Sequence, residues 1–165
     1  SSILPNTSSI GTTRETHGGV GRNISEAIGK VLRSSKRKIA FHTVLGGDQT
    51  SENINAANTE NLKEAGVEQV VANVLCGART ARYTAILQNS DLAYAVADME
   101  LFSKDANWRL PTDPELERAR ALVVDCNLPP TTLSAAINRF RQTEGGKNDK
   151  KVVVVDPTSV EKAGE

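Results

Sequence analysis

Apolar residues recur at helical spacing at Val20, Ile24, Ala27, Ile28, Val31 and Leu32. This pattern predicts an amphipathic helix of about 14 residues. Residues 1–16 before it are rich in Ser, Thr and Asn, with Pro5 and Gly11, and read as irregular structure or a short edge strand. The stretch Lys38 to Leu45 alternates Ile39, Phe41 and Thr43 as a strand does, and Gly46-Gly47-Asp48 ends it. Ile54, Ala57, Leu62 and Ala65 mark a second helix with a polar outer face, closed by Gly66 as a C-cap.

The middle of the chain changes character. Val70 to Leu75 and Thr80 to Leu87 are β-rich runs separated by Cys76-Gly77-Ala78-Arg79, a hairpin signal. Gln88-Asn89-Ser90-Asp91 is a second turn, and Leu92 to Ala97 a third short strand. The expectation is a small antiparallel meander set among helices and parallel strands. Alternating elements then resume: a helix over Pro114 to Ala119, a buried strand over Ala121 to Asp125, and a helix carrying Leu133, Ala136, Ile137 and Phe140. A polar loop from Gly145 to Lys150 leads to Val152-Val153-Val154-Val155, which lacks polar alternation, as a strand covered on both faces does. The fold class expected is α/β, a mostly parallel sheet covered by helices on both faces, with a small antiparallel β-lid.

Composition narrows the function classes. Hydrophobic residues make up 38% and charged residues 24% of 165, enough for one domain with a core. Twenty basic side chains balance twenty acidic ones, so no global field favours nucleic acid or an anionic membrane. The basic cluster Arg33, Lys36, Arg37 and Lys38 falls where the first helix should end, and there it suits the helix dipole. Cys76 and Cys126 show neither metal-ligand spacing nor a disulfide framework. No apolar run has transmembrane length and no signal peptide is visible, so a soluble, cytoplasmic protein is expected. The first residue is Ser, which reads as processing or a fragment, and the closing Ser159 to Ala163 reads as the start of another helix.

Three segments carry candidate chemistry. His17-Gly18-Gly19-Val20-Gly21-Arg22-Asn23 opens the first helix, where glycines admit a ligand close to the backbone and unpaired N–H groups are available. No Gly-Lys-Ser/Thr follows, and Ile24 stands where a dinucleotide fingerprint needs its third Gly. A plain tight turn is the competing reading, but Asn23, one turn into the helix, could reach whatever sits above the glycines. Arg79 to Thr84 would place Thr80, Arg82 and Thr84 on one strand face and Ala81, Tyr83 and Ala85 on the other. That pattern suits a solvated edge strand or a flap over a ligand. Asp125-Cys126-Asn127 lies at the C-terminal end of a strand, where α/β sheets collect ligands, and Asp156 ends the next strand. For Asp125-Cys126-Asn127, a turn-forming Asx pair before Pro is the competing reading. Paired, the two strand-end Asp residues could face a metal–phosphate group. His17 and His42 show no ligand spacing.

Gly18-Gly19-Val20-Gly21-Arg22-Asn23-Ile24-Ser25-Glu26-Ala27 resembles the first signature of the PfkB/ribokinase carbohydrate kinases, in a spelling nearest the pseudouridine kinase branch. Further segments agree in order: Leu45 to Asp48, Arg79 to Leu87, Ala95 to Met99, Val123 to Pro129 and Asp156 to Ala163. The resemblance implies a partial kinase domain spanning 1–165, with lid-forming strands around 70–97. It implies that Gly18, Gly19 and Asn23 line the sugar pocket, that Thr80 and Tyr83 come from the lid, and that Asp125, Asn127 and Glu161 lie on the phosphate and metal side. Thr158 departs from the pattern, standing where the family usually has Asn.

ATP and Mg²⁺ are the implied cofactors and a small sugar or nucleoside the implied partner. The resemblance also admits a homodimer and a parent fused to a pseudouridine-5'-phosphate glycosidase. The implied reaction is ATP-dependent phosphorylation of pseudouridine. A kinase for ribose, fructose or an adenosine-like nucleoside is the alternative, and so is a non-catalytic sugar-binding module. The family's opening strand with its sugar-binding Asp, and its Gly-x-Gly-Asp catalytic segment, are expected outside these 165 residues. A positioned base alone contributes about 10²–10⁴-fold, so the chain by itself is expected to be inactive.

Overall fold

The computed structural model describes residues 10–143 and 150–158. Its elements are α1 (Val20–Leu32), β1 (Ala40–Gly46), α2 (Gln49–Ala65), β2 (Gln69–Leu75), β3 (Arg82–Gln88), β4 (Asp91–Asp98), α3 (Asp113–Arg118), β5 (Ala121–Asp125), α4 (Pro130–Gln142) and β6 (Val152–Asp156). Two single-turn 3₁₀ helices, Glu100–Phe102 and Asp105–Asn107, bridge β4 to α3.

Strand β1 pairs in parallel with β2, from Ala40 opposite Gln69 to Gly46 opposite Leu75, with α2 as the crossover. Asp48 caps α2 by accepting from the Ser51 N–H at 2.9 Å. Gly66 ends the helix with φ 102°, its N–H donating back to the carbonyls of Leu62 and Lys63. The helix buries Ser51, Asn58, Leu62 and Ala65. Leu62 joins Phe41 and Val67 in the core beneath, flanked by Ile39 and Val70.

The parallel pairing of β2 corrects the expected three-stranded meander. The run Val70 to Leu75 belongs to a β-α-β unit, and the antiparallel unit is the β3–β4 hairpin alone. Segment 76–79 turns back onto the end of β1, where the Gly47 N–H donates to the carbonyls of Leu75 at 2.7 Å and Ala78 at 3.1 Å. β-rich composition marks a strand but leaves its partner open, because pairing is decided by distant chain. At the hairpin tip Asn89 and Ser90 both have positive φ, 52° and 72°, as a two-residue turn matched to strand twist requires.

Helix α1 crosses α2 closely. A Cβ on Gly29 would sit 2.7 Å from the Ala65 carbonyl oxygen, and one on Gly66 would sit 3.0 Å from that of Gly29. This backbone contact fixes the rotation of α1 and turns Val31 outward, 79% exposed. The expected apolar face is corrected accordingly: Ile24, Ile28 and Leu32 are half-buried, while Ala27 and Val31 face solvent.

Strand β5 pairs in parallel with β6, Ala121 opposite Val152 through Asp125 opposite Asp156. Phe140 of α4 is fully buried. Lys151 stacks over its ring at 4.7 Å and donates to its carbonyl at 3.1 Å. The valine pattern predicts a strand covered on both faces, yet Val152, Val154 and Val155 are 44–47% exposed among the described residues. The two parallel pairs share no hydrogen-bonded ladder there either. Helix α1 spans the space between them, in contact with both β1 and β5.

Candidate functional site

The Gly-rich turn is shaped by its backbone. Gly19 holds φ 110° and ψ 140° at the N-cap of α1, a conformation that glycine adopts without steric cost. The first helical bond runs from the Asn23 N–H to the Gly19 carbonyl at 2.9 Å. A Cβ on Gly21 would meet the Asp125 Oδ2 at 3.1 Å and the Phe41 ring at 3.4 Å. The start of α1 therefore lies close to the C-terminal end of β5, and a side chain at position 21 would require the Asp125 carboxylate to give way by a few tenths of an ångström. Asn23 is exposed beside the turn, and its amide oxygen accepts from Arg22 Nη1 at 3.2 Å.

At the strand ends the carboxylates order the chain that follows. Asp125 accepts from the Asn127 N–H at 2.9 Å, and Asp156 from the Thr158 N–H at 2.8 Å. Both are Asx turns, so the turn-forming reading holds at Asp125, and Asp156 forms the same turn. The Cys126 N–H donates to the Asp156 carbonyl at 2.9 Å and ties the two ends together. Thr158 takes φ 59°, a left-handed conformation in which Asn is better tolerated. Glu161 lies outside the described residues.

Thr80 and Tyr83 have different surroundings. Thr80 is buried just before β3, where its hydroxyl accepts from the Gly46 N–H at 3.0 Å and donates to Asp48 Oδ1 at 2.8 Å. Its N–H donates to Asp48 Oδ2 at 3.0 Å. These bonds, with those from the Ser51 N–H and the nearby Arg82 charge, hold the Asp48 carboxyl below its ordinary value, the Thr80 bonds contributing most. Arg79 pairs with Asp98 at 3.0 Å across the root of the hairpin. A small cavity of about 280 Å³ lies beneath, lined by Asp48, Thr80, Arg82 and Thr84 among others. Tyr83 stands on the opposite strand face, half-exposed opposite Ala97.

An open cleft of about 2950 Å³ is bordered by Gly18, Gly19, Asn23, Thr80, Tyr83, Asp125 and Asn127. The cleft is larger than the roughly 300–1,000 Å³ of an ordinary small-molecule pocket, so only direct contacts, such as Gly21 with Asp125, define local geometry. Sequence reasoning places Asp48 only in the turn after β1 and in a family-like segment, although an Asp before a helical run is an N-cap signal. It also missed the Arg22–Glu26 pair, legible as an i, i+4 ion pair. His42 of β1 lies 3.7 Å from Glu115, a contact between distant segments that no local pattern announces.

Among the described residues, no group of three or more His, Cys, Asp or Glu side chains converges as a cation site. Asp125 and Asp156 each have one oxygen accepting from a backbone N–H, and a Mg²⁺ held by one or two carboxylates together with nucleotide phosphates would use the other. No described helix is long and apolar enough to cross a membrane.

No family model matches the chain, and no curated protein matches it. Among solved structures, ribokinase from Giardia lamblia is similar, with a TM-score of 0.71 and 20% identity over 93% of this chain. The fold is ribokinase-like. At that identity the likeness shows the fold alone. The chain spans 47% of that ribokinase.

Proposed function

We propose that the chain forms the sugar-facing part of an ATP-dependent kinase for a nucleoside or sugar hydroxyl, with pseudouridine as the preferred substrate. The observation that supports this most is the close approach of Gly21 to the Asp125 carboxylate, on a ribokinase-like fold. It brings the start of α1, the helix that carries Asn23, toward the end of β5. The spelling Gly18 to Ala27 favours pseudouridine. Ribose is the second reading, favoured by the likeness in fold to the Giardia lamblia ribokinase.

In this reading Gly18 and Gly19 let the sugar approach the backbone, and Asn23 hydrogen-bonds its hydroxyls. Tyr83 closes over the sugar from the hairpin, while Thr80 holds the hairpin root. Asp125, Asn127 and Glu161 belong to the side facing the nucleotide. ATP would supply the phosphoryl group and Mg²⁺ its charge neutralisation. No step is assigned to a cation, since the described residues do not gather one. Cytoplasmic location belongs to the same proposal.

The 165-residue chain can be titrated with pseudouridine, ribose and fructose by ligand-observed NMR, with ADP release followed in parallel. Pseudouridine should bind most tightly, and no sugar-dependent ADP should form. Preference for ribose would move the substrate to the second reading. Absence of binding by all three, or robust turnover by the chain alone, would contradict the proposal.

A further inference from the structure

Arg22 is an unusual arginine for the start of a surface helix. Its side chain is only 13% exposed, held by an ion pair with Glu26 one turn on. Glu26 is shared, its second oxygen accepting from Lys30. Bonding from Lys30 and then the charge of Arg22 hold the Glu26 carboxyl below its ordinary value. The Nε of Arg22 is buried without a hydrogen-bond partner among the described residues. Arginine heads normally reach water, so the head is kept in place by Glu26 against its own solvation.

The same Nη1 that meets Glu26 also donates to Asn23 Oδ1 at 3.2 Å. A guanidinium carries donors only, so the atom of Asn23 facing it must be the amide oxygen. The two ends of an amide are chemically opposite, and fixing one fixes the other. With the oxygen turned to Arg22, the NH₂ group is the end left for the cleft.

We infer that Arg22, braced by Glu26, is a positioning residue that orients the Asn23 amide so that its NH₂ group donates to the bound sugar. This inference rests on the reading that Asn23 meets the ligand. It narrows that reading, because Asn23 then serves an acceptor oxygen on the ligand and is not a two-way partner of neighbouring hydroxyls.

The test combines a ligand-free signal with a binding cycle, using Arg22→Met, Glu26→Gln, Asn23→Ala and the Arg22→Met/Asn23→Ala pair. Arg22→Met keeps most of the apolar stem, and Glu26→Gln loosens the brace should the first variant fold poorly. The side-chain NH₂ resonances of Asn23 should move in both Arg22→Met and Glu26→Gln. Pseudouridine affinity should fall about 2- to 20-fold in Arg22→Met, and that loss should vanish once Asn23 is Ala. Unmoved Asn23 resonances in folded variants would overturn the inference. So would an Arg22→Met loss of the same size in the Asn23→Ala background. Should Asn23→Ala bind as well as the unaltered chain, the pocket reading fails, and the resonances still decide whether Arg22 sets the amide.

Discussion

Asp48 grips Thr80 with both carboxylate oxygens, taking the backbone N–H on one and the hydroxyl on the other. The same carboxylate caps α2 through the Ser51 N–H. One side chain thus ties together the end of β1, the start of α2 and the root of the β3–β4 hairpin. The glycines are part of the arrangement, since a Cβ on Gly46 would sit 2.4 Å from the Thr80 nitrogen.

Removing the Thr80 hydroxyl should therefore loosen the hairpin. Thr80→Val keeps the shape but leaves the Gly46 N–H without its acceptor and removes one of the two donors to Asp48 Oδ1, which keeps the Ser51 N–H. The expected cost is about 1–3 kcal/mol of stability. Thr80→Ser should recover most of it. Amide hydrogen exchange should quicken in 82–98 more than in α4. Equal stability of Thr80→Val and the unaltered protein would show that the clamp contributes nothing.

The helix crossing gives a second expectation. Gly29→Ala would press a methyl group against the Ala65 carbonyl, where it has only 2.7 Å. Overpacking of this kind costs about 1–3 kcal/mol, so thermal unfolding should fall by several degrees. Ala27→Gly, two residues away on the exposed side, should cost only about 1 kcal/mol from helix propensity. Similar melting temperatures for Gly29→Ala and the unaltered protein would contradict the close crossing.

His42 makes stability depend on pH. Burial pushes its pKa below the ordinary 6.5, outweighing the upward pull of Glu115. The folded state thus favours the neutral ring. Its contribution is complete above about pH 6.5 and is lost as pH falls through the lowered value. Melting temperature should decline between pH 7 and pH 5, and His42→Gln should flatten that decline. An identical slope in the variant would assign the dependence to other groups.

How much of this was legible in the sequence follows the range of each interaction. Helix α1 and strand β1 announce themselves by local periodicity, β5 and β6 by short apolar runs, and Gly66 closes α2 where its position suggests. The partner of β2 was not legible, because hairpin and crossover use the same β-rich residues and the choice is made by α2 packing back. Val31 differs from expectation for a related reason. Periodicity offers a wide apolar face, and the Gly29–Gly66 contact selects which part of it is buried. Among the candidate residues, the glycines and Asn23 stand out in the sequence as a glycine-rich turn and an amide at the start of an amphipathic helix. The Thr80 clamp depends on an Asp 32 residues away, which no local window contains.

If the start of α1 meets a sugar, Asn23 is the side chain whose loss should weaken binding most. Pseudouridine affinity should be measured for the chain and for Asn23→Ala, together with thermal unfolding of both. Losing one partner of a desolvated hydrogen bond costs about 1–3 kcal/mol, or roughly 5- to 150-fold in affinity. The account predicts that loss with little change in melting temperature. Unchanged pseudouridine affinity in a well-folded Asn23→Ala protein would contradict it.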